Sequence, residues 1–322
     1  MESVEKLLEE YRRWMAGKGF SERSWVAYSL NLKPFVAYLT RKGVEDVRRV
    51  TADNLLEYRV EVVEAKTWQG KPYRYGTVAL RIRSVKRFFA WLEETGRVLL
   101  NPADRMEEPR KPSKFPVTVL TEEEAERMLV VPDTSTTTGL REKAVLEVLY
   151  STGIRLGELL ALQPEDVDFE GAVVRVNQGK GAKDRVVPLG DAASRCLKAY
   201  LIQARPHLAR KEKTVKNMFL SRYGTPLSGV MVERMVREAA RRAGIERQVT
   251  PHTLRHTCAT LMVRHGAPIQ AVSLLLGHTD LTSTQIYTHV AGADLKETHG
   301  ETHPRERAAA VKVAETPVAL HV

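Results

Sequence analysis

The chain has 322 residues, 43% hydrophobic and 28% charged, which are the proportions of a folded globular protein long enough for two domains. Its formal net charge of +10 favours a polyanionic partner without identifying one. Two cysteines are too few for a disulfide framework or a zinc finger, and we find no signal peptide and no apolar run of membrane-spanning length. We therefore expect a cytoplasmic protein that has no membrane partner.

The first hundred residues carry the pattern of a helical domain. Apolar residues recur at helical spacing in four runs, which cover 4–15, 24–39, the stretch after Thr51, and 75–94. A basic and aromatic loop, 66–74, separates the third run from the fourth. We predict a helical domain over residues 1–103.

The fourth helix and the segment after it are basic. The helix carries four cations at Arg81, Arg83, Lys86 and Arg87. Such a stripe is typical of a solvated helix face and also of a surface that contacts DNA phosphates. Residues 104–117 are rich in proline and include Lys111 and Lys114, which indicates an extended linker that lies near phosphates. All six cations are candidate DNA contacts.

A second domain is predicted over residues 118–322. Thr121 and Glu124 have the spacing of a capping box, so a helix is expected to begin there. The patterns that follow are mostly helical, with one small antiparallel sheet. We therefore predict a mainly α fold with a small antiparallel β-sheet, an α+β architecture, and a C-terminal tail from about residue 292.

Arg155 stands in an unusual position for a cation. It follows Thr152 and Gly153, a turn that would place it at the start of a helix containing Leu156 and Leu159. The N-terminus of a helix disfavours positive charge, so a surface role explains the position poorly. Arginine binds two phosphate oxygens at once and stabilises charge that develops in phosphoryl transfer. Arg155 is therefore a candidate phosphate ligand.

A β-hairpin is predicted around Lys180. Two β-branched runs, 173–176 and 185–189, flank a glycine-rich polar loop in which Lys180 lies between Gly179 and Gly181. The triplet lacks the spacing and the following hydroxyl residue of a Walker loop. A lysine at this tip can lie along nucleic acid or donate a proton to a leaving 5′ oxygen. On its own the loop also fits a solvated hairpin tip.

A second candidate phosphate ligand lies in Thr250–His256. Thr250 and Pro251 have the pattern of a helix start, and His252 and Arg255 are three residues apart, so they share one helix face. Arg255 would complete a clamp with Arg155. His256 is adjacent to Arg255 and points elsewhere, and we expect it to be a hydrogen-bonded core histidine.

Tyr287 is the candidate nucleophile. It lies nine residues after His278 and two apolar segments flank the turn between them. A tyrosine hydroxyl can attack phosphorus once its proton is withdrawn, for which a nearby histidine is suited. Taken alone, such a tyrosine is more often a core residue, so the flanking sequence carries the assignment. The sequence around His289, His299 and His303 has no pattern of cysteine or acidic residues that would complete a metal site. We therefore expect no metal.

These motifs together resemble the tyrosine recombinases, or phage-type integrases, and in style the Xer recombinases. The resemblance covers about residues 4–303 and rests on five stretches: Thr152–Leu159, Gly179–Gly181, His252–Thr260, Leu275–His278 and Tyr287–His289. The six positions that the family uses for catalysis are filled in the expected order.

The resemblance implies a role for each of these six residues. Arg155, Arg255 and His278 would stabilise the phosphate, Lys180 would be the general acid and His252 an acid–base partner. Tyr287 would attack a DNA phosphate, leaving a 3′-phosphotyrosine link and a free 5′ hydroxyl, and a 5′ hydroxyl of the partner duplex would reseal the strand. Neither metal, ATP nor another cofactor is implied.

The resemblance also implies partners and leaves alternatives. It implies double-stranded DNA with a specific recombination site, bound by a homo-tetramer, or by a hetero-tetramer with a related recombinase, acting through a Holliday junction. The tail after residue 292 would dock in trans on a neighbouring subunit. The alternatives are a type IB topoisomerase-like enzyme, a non-catalytic DNA-binding relative and a metal-dependent phosphodiesterase. The sequence does not determine the DNA target. It also does not distinguish a role in chromosome partition from a role in a mobile element.

Overall fold

A computed structural model describes residues 4–110, 119–177, 184–209, 215–277 and 291–307 of the chain, with the backbone alone at 291–294. The chain divides into two compact units, Met1–Phe115 and Pro116–Val322. No helix in the described ranges is both long and apolar enough to cross a membrane.

The N-terminal unit consists of four main helices. They are α1 (Val4–Gly17), α2 (Glu22–Arg41), α3 (Ala52–Glu64) and α4 (Tyr75–Glu94), and a short 3₁₀ turn covers Val47–Arg49. Ser21 and Thr51 begin α2 and α3 by accepting a hydrogen bond from an amide of the first turn. All four predicted helical runs are therefore helices.

Helix α4 carries much of the core of this unit. Nine of its residues are buried, including the adjacent Phe88 and Phe89. Full burial of each ring contributes about 1.5–3 kcal/mol to the free energy of folding, and edge-to-face packing of aromatic rings adds to this stabilisation. Phe88 packs in this way on Tyr11 of α1, and Phe89 packs on Phe35 of α2. The aromatic spacing of the sequence thus joins three helices around one core.

The C-terminal unit combines nine helices of the described segments with one small sheet. The helices are α5 (Glu122–Val130), α6 (Thr137–Thr152), α7 (Leu156–Ala161), α8 (Asp191–Ala199), α9 (Arg205–Leu208), α10 (Gly229–Arg242), α11 (Pro251–Arg264), α12 (Ile269–Leu276) and α13 (Ala291–Thr302). A 3₁₀ turn covers Pro164–Asp166, and a π-helical stretch, Tyr200–Ala204, joins α8 to α9. The capping box predicted at Thr121 and Glu124 is present.

The sheet has three antiparallel strands in the order of the chain. They are β1 (Val167–Asp168), β2 (Val173–Val176) and β3 (Arg185–Pro188), and Val174 of β2 pairs with Val187 of β3. The predicted hairpin is therefore formed by β2 and β3. The mainly helical architecture with one small antiparallel sheet confirms the predicted fold class.

Helix α6 forms the centre of the C-terminal unit. Every residue from Ala144 to Thr152 is buried, so this half of the helix has no solvent-facing side. A helix that is surrounded in this way is held rigidly by its neighbours. The segment that leaves its C-terminus, Gly153–Arg155, therefore starts from a fixed point.

Candidate active site

Arg155 lies in the sharp turn between α6 and α7. Gly153 ends α6 in the left-handed conformation with φ of 60°, and Arg155 is the N-cap residue of α7. A Cβ at Gly153 would lie 3.1 Å from Cδ2 of Leu276, so only glycine suits both the backbone angle and the space. The turn brings Arg155 to the end of α12, a helix more than a hundred residues later in the chain.

The side chain of Arg155 is held at two points and is still half-exposed. Its Nη1 donates to Oε1 of Glu158 at 2.9 Å, and its Nη2 donates to the carbonyl of Gly277 at 3.0 Å. The side chain keeps 45% of its surface exposed. Glu158 supplies the negative charge that the helix N-terminus favours, which explains how a cation is tolerated at this position.

Arg255 lies on α11 and is buried, with 5% of its surface exposed. Its two terminal nitrogens each donate at 2.6 Å, Nη1 to the carbonyl of Gly153 and Nη2 to that of Leu276. Burial lowers the pKa of Arg255 to about 10, and the positive charge of Arg155 contributes to the same shift. The guanidinium therefore stays protonated at neutral pH and lies close to Arg155.

The two candidate phosphate ligands thus meet at one helix end. Leu276 is the last residue of α12, and Gly277 caps the helix in the left-handed conformation with φ of 62°. Carbonyls at a helix C-terminus lack intrahelical partners and carry partial negative charge. They orient the two guanidiniums, and Arg155 and Arg255 remain suited to bind the non-bridging oxygens of a phosphate.

His252 lies on α11 as expected, and the helix starts where the sequence predicts. Thr250 caps the helix and Pro251 occupies its first turn. His252 is exposed, and its Nε2 lies 2.8 Å from Nε2 of His256. One ring nitrogen of this pair donates to the other. The two histidines can therefore share a proton.

His256 is hydrogen-bonded as expected, but the expectation that it lies in the core and points away from the candidate site residues is wrong. His256 is half-buried, and its ring centroid lies 4.2 Å from that of His252. Residues four apart on a helix lie on one face, so the spacing of the two histidines was the signal that could have shown the contact.

Three of the six candidate catalytic residues lie outside the described residues. These three are Lys180, His278 and Tyr287. The linker residues Lys111 and Lys114 also lie outside the described residues. The described chain ends next to them: β2 and β3 flank the loop of Lys180, and Gly277 directly precedes His278. Of the candidate site, the structure brings together Arg155 and Arg255, with His252 on the same helix as Arg255.

The basic residues of α4 make contacts inside the N-terminal unit. Arg83 forms an ion pair with Glu108 and is exposed, whereas Lys86 donates to the carbonyl of Met106 at 2.8 Å. Arg81 lies over the ring of Tyr73, and Arg87 lies over the ring of Phe20. The helix therefore does not present four equally exposed cations.

The loop before α4 forms a short hairpin with an exposed aromatic tip. Lys66 and Pro72 pair as an isolated antiparallel bridge, and Trp68 between them is 92% exposed. The basic and aromatic character seen in the sequence is thus displayed on the surface of the N-terminal unit.

Two charged residues that were not among the predicted site residues lie beside the arginines. Glu158 accepts two hydrogen bonds at 2.9 Å from Nη1 and Nη2 of Arg185, in addition to those from Arg155. Burial alone would raise the pKa of Glu158, but hydrogen bonds from Arg185 and from the Arg155 amide outweigh it and lower this pKa to about 2. Glu158 could have been found from its position three residues after Arg155; Arg185 carries no comparable local signal.

The segment after the candidate nucleophile packs on the same chain. His299 of α13 donates from Nε2 to the carbonyl of Ser151 at 2.7 Å, and Nε2 of His303 lies 3.1 Å from the carbonyl of Tyr150. Both rings are buried. These carbonyls belong to the last turn of α6, immediately before Gly153. His299 and His303 therefore belong to the buried interior of the C-terminal unit.

Comparisons with known proteins cover nearly the whole chain. Residues 118–293 match the Phage integrase family, and residues 8–96 match the Phage integrase, N-terminal SAM-like domain. The first match spans more than half of the chain. The helical N-terminal unit and the helical unit with the small sheet correspond to these two matches.

Curated relatives are similar over most of their own length. The chain is 36% identical to "Tyrosine recombinase XerC 2" of Ralstonia nicotianae, over 89% of this chain and 82% of that protein. It is 35% identical to "Tyrosine recombinase XerD" of Listeria monocytogenes, over 93% of this chain and 99% of that protein. A XerD of Shewanella oneidensis is 36% identical over 90% and 93%.

Solved structures share the fold at lower identity. XerH site-specific recombinase bound to difH substrate matches with a TM-score of 0.65 and 20% identity, over 90% of this chain and 79% of that chain. A lambda integrase dimer bound to a COC′ core site matches with a TM-score of 0.64 and 18% identity, over 88% and 100%. The family matches and the relatives do not favour a topoisomerase. The chain belongs to the phage integrase family and is a tyrosine site-specific recombinase of the Xer type.

Proposed function

We propose that Tyr287 cuts and rejoins DNA strands through a 3′-phosphotyrosine intermediate. The convergence of Arg155 and Arg255 on the end of α12 supports the proposal, because two neighbouring guanidiniums are suited to bind the oxygens of one phosphate. Two fixed cations stabilise the charge that grows on the phosphate oxygens in the transition state. His278, the residue after Gly277, would add a third donor.

The reaction is a displacement that conserves the number of phosphodiester bonds. The Tyr287 oxygen forms a bond to phosphorus, the bond from phosphorus to the 5′ oxygen breaks, and Lys180 gives its proton to that oxygen. His252, which shares a hydrogen bond with His256, takes the phenolic proton. The reverse attack by a 5′ hydroxyl of the partner duplex releases Tyr287. The sequence of steps needs neither ATP nor a metal ion.

The acting species is a tetramer on paired DNA sites in the cytoplasm. A lambda integrase tetramer bound to a Holliday junction matches this chain with a TM-score of 0.62 and 18% identity. The candidate DNA contacts are the α4 cations Arg81, Arg83, Lys86 and Arg87, of which Arg83 is the exposed one, and the linker residues Lys111 and Lys114. The tetramer consists of copies of this chain or includes a related recombinase.

The tail would dock in trans on a neighbouring subunit. His299 and His303 are buried in the same chain, so the docking segment is assigned to the residues after Arg307. Truncation after Arg307 should spare binding to one DNA site and impair pairing of two sites. Unchanged pairing would contradict docking in trans.

The nucleophile is tested with Tyr287→Phe. DNA sites are first selected by binding from a library of genomic fragments, and cleavage and affinity are then measured in excess chelator. Wild type should cut the selected site in chelator, and Tyr287→Phe should bind it with affinity near wild type and cut nothing. A variant that still cuts, or a wild type that is inactive in chelator, would overturn the proposal.

A further inference from the structure

We propose that Arg185, at the start of β3, is a positioning residue that holds Arg155 and the end of α12 in the geometry for cleavage. The inference rests on the proposed function of the site and names a residue that acts through the phosphate ligands. Arg185 precedes β-branched residues of a strand, and its sequence context predicts only a hairpin.

The first link runs from Arg185 to Arg155 through Glu158. Arg185 donates from Nη1 and Nη2 to the two carboxylate oxygens of Glu158, both at 2.9 Å. The same carboxylate accepts from the Arg155 amide at 2.7 Å and from its Nη1 at 2.9 Å. Glu158 thus fixes the backbone and the side chain of Arg155, and Arg185 fixes Glu158.

The second link runs from Arg185 to α12. Its Nε donates to the carbonyl of Leu275 at 3.1 Å. The next two carbonyls, of Leu276 and Gly277, accept from Arg255 and Arg155. Three consecutive carbonyls at the end of one helix are therefore each bound by a different arginine.

The contacts of Arg185 suit it to hold other side chains in place. The side chains of Arg185 and Glu158 are 11% and 9% exposed, whereas that of Arg155 is 45% exposed. All three nitrogens of the Arg185 guanidinium already donate to protein oxygens. A planar fork can reach a carboxylate and a carbonyl at fixed angles, which an ammonium group cannot do. Arg185 also begins the strand after the Lys180 loop, so it links that hairpin to the arginines.

The structure offers a control in another arginine–glutamate pair, in which Lys143 also contacts the carboxylate. Arg305 donates from Nη2 to Oε1 of Glu147 at 2.6 Å and from Nε to Oε2 at 3.3 Å. The side chains of Arg305 and Glu147 are 22% and 0% exposed. The hydrogen bonds of this pair do not involve Arg155 or Arg255, so it tests whether loss of any such pair lowers activity.

The experiment compares Arg185→Met, Arg185→Lys and Arg305→Met in the full-length protein. Single-turnover formation of covalent complex on a nicked site gives the cleavage rate, and fluorescence anisotropy gives the dissociation constant. Misplacement of reacting groups by about 1 Å can cost roughly 100-fold in rate. Arg185→Met should lower the cleavage rate by roughly 10- to 100-fold with the dissociation constant changed by less than about 3-fold. Arg185→Lys should recover part of the rate because it keeps the charge pair.

A double variant separates positioning from folding. Arg185→Met leaves Glu158 buried without its main partner and can destabilise the protein. Arg185→Met with Glu158→Gln removes both charges and should restore stability in urea denaturation, while the cleavage rate stays low. Arg305→Met should cut at the wild-type rate. If wild type cuts and Arg185→Met or the double variant cuts equally fast, the positioning role is wrong; if wild type forms no covalent complex, the proposed function itself fails.

Discussion

Arg155 and Arg255 donate hydrogen bonds to the carbonyl oxygens of adjacent residues, Gly277 and Leu276. The two arginines come from the start of α7 and from α11, and the shared helix end brings them together. Arg255 also donates to the carbonyl of Gly153, two residues before Arg155. Hydrogen bonds to these backbone carbonyls therefore hold the two guanidiniums in position before any phosphate is bound. Such preorganisation lowers the free-energy cost of stabilising the transition state.

Arg255→Lys should reduce strand cleavage by roughly 100-fold or more, although the positive charge is kept. A single ammonium group cannot reach the carbonyls of Gly153 and Leu276 and still present a fork to phosphate. Single-turnover cleavage of a nicked site measures the effect, and DNA affinity in the same buffer is the control. Cleavage within a few-fold of wild type would remove Arg255 from the phosphate clamp.

Gly153→Ala should lower both stability and cleavage. A non-glycine residue at φ of 60° costs about 1–2 kcal/mol, and the added Cβ would lie 3.1 Å from Leu276. Gly244→Ala is the matched control, because Gly244 has φ of 74° and an added Cβ there would meet nothing within 4 Å. Both variants should lose stability in urea denaturation, Gly153→Ala by more because of the close contact with Leu276, and only Gly153→Ala should cut slowly. Equal cleavage by the two would show that the turn does not set the arginine positions.

Glu158→Gln should change how the free energy of unfolding depends on pH. The pKa of Glu158 is lowered to about 2 in the folded protein from an ordinary value of 4.5. Its carboxylate therefore stabilises the fold above pH 4.5, by about 3 kcal/mol, and this contribution is lost as the pH falls from 4.5 towards 2. The difference in free energy of unfolding between wild type and Glu158→Gln should shrink over that range. Glu246→Gln, at an exposed position, is the control for loss of a carboxylate.

His303 should make the C-terminal unit sensitive to mild acid. Burial lowers the pKa of His303 well below 6.5, and the neighbouring His299 contributes to the same shift. The folded protein favours the neutral ring of His303. The stabilisation that this ring contributes to the fold is therefore fully present above pH 6.5 and is lost as the pH falls below that value. Between pH 7.5 and 5.5 wild type should lose unfolding free energy through this group, and His303→Gln should lose less. His207→Gln, at an exposed position, is the control for loss of a histidine.

Helix starts could be predicted from the sequence because their signals are local. Thr250 with Pro251, and Thr121 with Glu124, lie within a few residues of the amides that they cap. The order of the candidate catalytic residues was likewise visible in the motifs. For the same reason the hairpin of β2 and β3 followed from its β-branched runs and the glycines between them.

The contacts that orient the arginines could not be predicted from the sequence. Arg185 and Leu275 are 90 residues apart, and a backbone carbonyl as acceptor leaves no trace in residue type. The burial of His299 and His303 depends on the end of α6 and not on the composition of the tail. The spacing of charged residues in α4 predicted an exposed basic stripe. In the structure Arg81 packs over Tyr73 and Arg87 packs over Phe20, contacts that the spacing does not reveal.

The most direct test of the central claim is the identity of the residue that becomes joined to DNA. A nicked duplex that carries a selected site traps the covalent intermediate, and mass spectrometry of the digested complex identifies the modified peptide. We predict a single adduct at Tyr287 on the 3′ phosphate, formed in excess chelator and absent from Tyr287→Phe. An adduct at another residue, or cleavage that leaves no protein attached to DNA, would contradict the proposed chemistry.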